Sequence, residues 1–199
     1  IDQENTEDIQ KMAAMNPSDE EYLKESVMSL AKHRIIWLLV LMISATFTGR
    51  IIKSYEDVLQ SVVILSSFIP MLMDTGGNAG AQSSTIVIRA LALGEVNAKD
   101  TFRILRKEFF ISFIVAVVLA AINFLRIMTL TKTPLNVALT VSITLIFVVM
   151  ISKIIGAFLP VVAKTFKMDP AIMAGPLITT ILDALTLSIY LKFATIFLS

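Results

Sequence analysis

The chain has 199 residues, of which 56% are hydrophobic and 17% charged, and its formal net charge is +1. A nucleic-acid-binding protein would carry a basic stripe, so this near-neutral balance argues against nucleic acid as a partner. The chain contains no cysteine, which excludes disulfide bonds and thiolate metal sites.

Long stretches of the chain lack any charged side chain. A soluble helix would place polar residues every second or third position on its water-facing side. A helix that crosses the hydrocarbon core of a membrane needs roughly 20 mostly apolar residues instead. The sequence therefore predicts an all-α integral membrane protein in a lipid bilayer. The uncharged stretches are 35–49, 58–73, 75–88, 109–125, 133–152 and 170–182.

In chain order, residues 1–16 are polar and acidic and show no periodic apolar face. Residues 17–34 are predicted to form an amphipathic interfacial helix, because Ser18 and Glu21 can form a capping box before apolar residues at helical spacing. This helix is either a leader into the first span or a gate. Residues 35–199 are predicted to hold five transmembrane helices, with approximate bounds of 35–52, 58–93, 109–125, 135–163 and 171–198.

The basic residues of the loops predict the orientation of these helices. Lysine and arginine are more numerous on the side of the N-terminus than on the other side when five spans are drawn. Cytoplasmic loops carry this excess in membrane proteins. We therefore expect a multi-pass protein of the inner (plasma) membrane, with its N-terminus in the cytoplasm and its C-terminus outside.

Asp183 lies near mid-depth in the fifth predicted span, on the same helix stripe as Thr179, Thr186 and Tyr190. A carboxylate at this depth is costly unless it is protonated, paired or facing water. The helix contains no basic residue before Lys192, at the far interface. Asp183 is therefore protonated, pairs with another helix, or attracts a cation in an aqueous path, and the last interpretation is favoured.

The second predicted span contains a polar, glycine-rich sequence between Asp74 and Gln82. Such a sequence predicts a broken helix whose exposed backbone lines a water-filled cavity, as at ion sites of transporters. The alternative is close helix packing through small residues, for which Gly76 and Gly80 have the required spacing. Asn78 and Gln82 favour the first interpretation, since both side chains need hydrogen-bond partners.

The available ligands narrow the choice of ion. All of them are hard oxygen donors, and the single histidine, His33, lies at the membrane edge. Such donors suit magnesium, calcium or manganese. Magnesium keeps several of its waters and needs only one or two carboxylates, and a two-fold dimer would supply a second copy of Asp183.

Two sequence motifs resemble those of the MgtE family of magnesium channels. The first is Pro-Met-Leu-Met-Asp-Thr-Gly-Gly-Asn-Ala-Gly-Ala-Gln-Ser-Ser-Thr over residues 70–85, with Arg-Ala-Leu-Ala-Leu-Gly-Glu over 89–95. The second is Met-Asp-Pro at 168–170, followed by Gly-Pro-Leu at 175–177, Thr180 and Asp183. The resemblance extends over nearly the whole chain.

This resemblance implies a homodimer of five-helix subunits whose central pore is lined by the second and fifth helices. Asp183 stands where the family has a pore carboxylate that binds hydrated magnesium, and the backbone of Thr179 would face the same ion. The residues expected to line the pore are Gly76, Gly77, Asn78, Gln82, Gly175 and Thr186.

The resemblance also implies a cytoplasmic part. The family carries a helical N-terminal domain and tandem CBS domains that sense magnesium, and we expect both to precede this chain. Residues 1–16 then correspond to the end of the CBS region, and residues 17–34 to the plug helix beneath the pore. Magnesium would also be a regulatory ligand there, bound by Glu7, Asp8 and Asp169, with Glu4 as a further candidate.

The resulting expectation is passive permeation of magnesium through the homodimeric pore, with the hydrated ion held by Asp183. A secondary carrier that exchanges a divalent cation for sodium or protons is the alternative. We do not expect an enzyme, because no nucleophile and base accompany the intramembrane acids Asp74 and Asp183. The sequence leaves open whether Asp74 is a second pore acid or lies at a water-filled vestibule.

Overall fold

The computed structural model of the chain describes residues 9–13 and 23–198. Apart from a helical turn at 9–12, these residues form helices joined by short connections, and they contain no β-strand, so the predicted all-α class is confirmed. The helices are α1 (Val27–Ser54), α2 (Glu56–Ser61), α3 (Ile69–Ala92), α4 (Thr101–Arg126), α5 (Leu135–Thr165) and α6 (Pro176–Leu198).

Four helical segments are long and apolar enough to cross a membrane, and they contain α1, α4, α5 and α6. The chain is therefore a multi-pass membrane protein. The remaining long helix, α3, has 24 residues, but its polar and glycine-rich sequence leaves it outside this group. The predicted count of five spans is thus supported for four helices, and the membrane crossing of α3 stays a prediction.

The start of α1 differs from the sequence prediction. Ser26 caps this helix by accepting a hydrogen bond from the Ser29 N–H at 3.2 Å, and α1 then continues without interruption to Ser54. The boundary expected between an interfacial helix ending at residue 34 and a first span beginning at residue 35 is therefore absent. The predicted cap, Ser18, lies outside the described residues.

Helix α5 lies at the centre of the bundle and packs against α3, α4 and α6. Its buried residues recur at helical spacing on more than one face, as expected for a helix surrounded by others. Helix α1, by contrast, has no buried residue and contacts mainly α6. Its large apolar side chains are thus available to lipid or to another subunit.

Glycines allow α3 and α5 to approach closely. A Cβ atom built on Gly76 would lie 2.9 Å from Val148 Cγ1, and one built on Gly156 would overlap the carbonyl oxygen of Gly80. Because Gly76 meets residues 148 and 152 whereas Gly80 meets residues 152 and 156, the two helices run parallel. The backbone of α3 stays helical throughout this contact.

The predicted break of the second helix at residues 74–80 is therefore wrong, and the alternative of close packing through small residues is confirmed. The glycines here keep the backbone hydrogen bonds of α3, and their missing side chains make room for the neighbouring helices. The chain is irregular earlier, where Val62 adopts an extended conformation before a 3-10 segment, Val63–Phe68.

The irregular segment before α3 is fixed by α6. The Tyr190 hydroxyl donates a hydrogen bond of 2.9 Å to the carbonyl oxygen of Leu65, and both residues are completely buried. Further along, a Cβ atom on Gly80 would overlap the Leu182 side chain. Since residue numbers rise along α3 as they fall along α6, these two helices are antiparallel.

Candidate functional site

The candidate site begins with a row of exposed polar residues on α3, here called the polar stripe: Asp74, Asn78, Gln82, Thr85 and Arg89. Steps of three and four residues place all five on one side of the helix. Polar groups facing hydrocarbon are unfavourable, so an exposed row of them on a long membrane-protein helix indicates water or a partner. The opposite side of α3 is the buried side that carries the packing glycines.

Asp183 on α6 is half-buried and lies close enough to Asp74 for the two carboxylates to interact electrostatically. Neither side chain has a hydrogen-bond or ion-pair partner among the described residues. The pair joins the predicted pore acid of α6 to the start of the polar stripe. Two neighbouring carboxylates without partners form a site of strong attraction for a cation.

Within residues 9–13 and 23–198, no group of three or more histidine or acidic side chains could hold a metal ion. A site that strips an ion of its water would need such a cage. Two carboxylates suit an ion that keeps most of its hydration shell, and magnesium is the usual ion of that kind.

The other predicted site residues of α6 pack against α3. A Cβ atom on Gly77 would lie 3.3 Å from Thr179 Cγ2, and one on Gly76 would lie 2.7 Å from Thr186 Oγ1. Thr186 is only 1% exposed, and the Thr179 hydroxyl donates to the Pro176 carbonyl at 3.0 Å. Gly76, Gly77 and Thr186 therefore belong to the helix contact, and the exposed side of α3 presents Asn78 and Gln82.

A family model for MgtE, described as a divalent cation transporter, matches residues 69–193, which include α3, α4, α5 and most of α6. The chain belongs to the MgtE family. The magnesium transporter MgtE of Thermus thermophilus is 32% identical over 198 residues, covering 100% of this chain and 44% of that protein. The magnesium transporter MgtE of Bacillus subtilis is 34% identical over 199 residues, covering 98% of this chain and 43% of that protein. The chain thus spans less than half the length of these relatives.

The resemblance to MgtE implied a cytosolic magnesium site that includes Asp169, and the structure gives this residue other partners. The Lys11 ammonium lies 2.7 Å from Asp169 Oδ2, and the Ala171 N–H donates to Oδ1 at 2.9 Å. Burial acts to raise the pKa of Asp169, but the hydrogen bonds and positive charges of Lys11 and its surroundings outweigh it, so the pKa is lowered. The other predicted ligands, Glu4, Glu7 and Asp8, lie outside the described residues.

Gly175 serves a turn at the start of α6 in this MgtE-family chain. Its backbone has a positive φ of 61°, and a Cβ atom there would overlap the carbonyl oxygen of Met12. Met12 and Lys11 thus fix the helical turn at 9–12 against the segment leading into α6. Gly175 is half-buried at this junction, so its expected place along the pore stays a prediction.

Two buried charged residues of this MgtE-family chain were missed from the sequence. Lys153 on α5 is 5% exposed, and Glu108 on α4 is 7% exposed. Lys153 donates a hydrogen bond of 3.3 Å to Gln82 Oε1, and Glu108 accepts one of 2.6 Å from Ser83 Oγ. The available signal was the isolated lysine itself, since it is the single charged residue of α5 before Lys164.

Proposed function

We propose that this chain is the membrane part of a magnesium transporter through which the ion passes by passive permeation. The observation that carries the proposal is the pair of carboxylates without partners, Asp74 and Asp183, on two neighbouring helices. The magnesium transporters of Thermus thermophilus and Bacillus subtilis, to which the chain is similar along its length, support the choice of ion.

The path is formed between two copies of the chain. A single copy leaves the polar stripe of α3 exposed, and burying it against the same surface of a second copy removes it from lipid. Two-fold symmetry then brings two copies each of Asp74 and Asp183 around one axis. This homodimer supplies four carboxylates, enough negative charge to attract a hydrated divalent ion.

Asp183 holds the ion through its hydration shell, and Asp74 adds a second negative charge next to it. Magnesium dehydrates reluctantly, so the backbone carbonyl of Thr179 and the amide of Asn78 act through bound water. Binding has to be strong enough for the ion to enter and weak enough for it to leave. Outer-shell contacts satisfy both conditions better than direct coordination.

The packing of α3 supports a fifth span. This helix runs parallel to α5 and antiparallel to α6 along much of its length, which is the arrangement of alternating membrane crossings. We propose that α1 and α3–α6 all cross the plasma membrane, with the N-terminus cytoplasmic and the C-terminus outside. Residues 1–16 then follow the cytoplasmic CBS domains, and Glu4, Glu7, Asp8 and Asp169 contribute to a regulatory magnesium site.

The test is magnesium flux into proteoliposomes that contain this chain, measured with and without a sodium or proton gradient. We expect flux to follow the magnesium gradient and the membrane potential alone. Asp183→Ala should abolish it or remove its selectivity, Asp183→Asn should weaken it, and Glu95→Gln, at the exposed end of α3, should leave it unchanged. Flux that requires a counter-ion gradient would instead indicate a carrier, and normal flux in both Asp183 variants would refute the site.

Because the chain contains no cysteine, single cysteines can test the dimer. Asn78→Cys lies at the centre of the polar stripe and should be crosslinked to its copy by a short thiol-specific reagent. Phe113→Cys, at an α4 residue that is 50% exposed, is the matched control and should remain monomeric on a denaturing gel. Equal crosslinking of the two variants would contradict a path lined by α3.

A further inference from the structure

Lys153 places a positive charge inside the bundle, beside the proposed path. The residue is 5% exposed on α5, the helix that packs against α3, α4 and α6. An ammonium group within a membrane protein is costly and usually marks a functional position with a definite partner. No acidic residue in the described part of the chain forms an ion pair with it.

The partner of Lys153 belongs to the polar stripe. Its ammonium donates to Gln82 Oε1 at 3.3 Å, and Gln82 is exposed two turns along α3 from Asp74. The contact reaches from the buried interior to the exposed side of α3. It also occupies the amide oxygen of Gln82, which is the atom that could otherwise face a cation.

The opposite charge lies on the other side of α3. Glu108 accepts the hydrogen bond from Ser83, which is 1% exposed and follows Gln82 in sequence. Consecutive helix residues are rotated by about 100°, so Gln82 and Ser83 point in different directions. The positive charge is therefore connected to the exposed side of α3, whereas the negative charge is bound on the buried side.

We propose that Lys153 is a fixed positive charge that lowers the affinity of the magnesium path and so sets how quickly the ion leaves it. The proposal rests on the function proposed above. Four carboxylates in a dimer would hold a divalent ion tightly, and conduction requires release as well as binding. An ammonium group bonded to the stripe opposes that attraction, and its effect doubles for a divalent ion relative to a monovalent one.

The experiment measures the magnesium dependence of flux in proteoliposomes for Lys153→Met, Lys153→Gln and Lys153→Arg. The methionine variant keeps the length of the side chain, the glutamine variant keeps a donor for Gln82, and the arginine variant keeps the charge. For both neutral variants we expect an apparent KM lower by about tenfold and a reduced maximal rate, since only the charge acts over this distance. The arginine variant and Lys192→Met, an exposed control on α6, should match the unmodified chain.

Each outcome decides the matter. An unchanged KM in both neutral variants would overturn the inference while leaving magnesium transport intact. A normal KM for glutamine with an altered one for methionine would show that the hydrogen bond acts rather than the charge, and would also overturn it. Absence of magnesium flux in the unmodified chain would refute the proposed function itself. If the methionine variant does not fold, by its elution in detergent, the glutamine and arginine variants carry the comparison.

Discussion

The carboxylates of Asp74 and Asp183 lie on neighbouring antiparallel helices, near enough to interact, and neither has another partner among the described residues. Each acid alone is unfavourable at membrane depth, and their mutual repulsion adds to that cost. A bound cation relieves both effects at once. The two residues should therefore act as one unit.

Asp74→Asn should raise the apparent KM for magnesium several-fold, because it removes one of the two charges that attract the ion. The double variant with Asp183→Asn should lose less than the product of the two single effects, since groups in one site are not additive. Flux assays over a range of magnesium concentrations measure this. Asp57→Asn, an exposed acid of α2, is the matched control. Unaltered transport in Asp74→Asn would place Asp74 outside the ion path.

Gly156→Ala should destabilise the bundle by about 1–3 kcal/mol, the usual effect of overpacking. The added methyl group would meet the backbone of Gly80, which cannot rotate away as a side chain could. Thermal unfolding in detergent measures the change. Gly49→Ala is the control, since nothing lies within 4 Å of its added atom and alanine is the better helix former. Equal melting temperatures for the two variants would contradict the close contact.

Tyr190→Phe should cost about 1 kcal/mol of stability by leaving the Leu65 carbonyl without its donor. The aromatic ring stays in place, so packing is nearly unchanged. Tyr55→Phe, at a half-buried tyrosine outside the bundle core, should be neutral. The comparison uses the same thermal unfolding measurement, and a neutral Tyr190→Phe would show that this hydrogen bond contributes nothing.

Lys11→Met should weaken the attachment of the N-terminal turn at neutral pH by less than about 1 kcal/mol, since the ion pair is partly exposed. The pKa of Asp169 is lowered in the folded chain, so its stabilisation is present above the usual carboxyl value, about 3.9, and disappears as the pH falls below it. Thermal unfolding from pH 3 to 7 in magnesium-free buffer should show the two chains converging at the acid end. Lys99→Met, on an exposed loop, should follow the unmodified chain, and a constant difference across the range would contradict the ion pair.

The sequence predicted the features that depend on one segment at a time. Uncharged stretches located the helices that became α1, α4, α5 and α6, and helical spacing placed Asp183 inside α6. The motif resemblance agrees with the family match. These signals are local, because length and apolar composition alone decide whether a helix can cross a membrane.

The errors concern how helices face one another. Glycines suggested a break near Gly77, yet their function is to admit α5 and α6, and sequence composition does not distinguish the two. Thr186 was expected beside Asp183 on the path, but the rotation of α6 buries it against Gly76. The partners of Lys153 and Glu108 depend on three helices meeting at one level, and no single segment contains that information.

The polarity of α3 also has a consequence for how the protein is made. Asp74, Asn78 and Gln82 would each oppose the transfer of this segment from the translocon into lipid if it were released alone. The apolar helices α4, α5 and α6 all follow it in the chain. During synthesis, α3 must therefore wait at the insertion machinery until α5 and α6 emerge to cover its glycines, so membrane integration of this helix is a late and collective event.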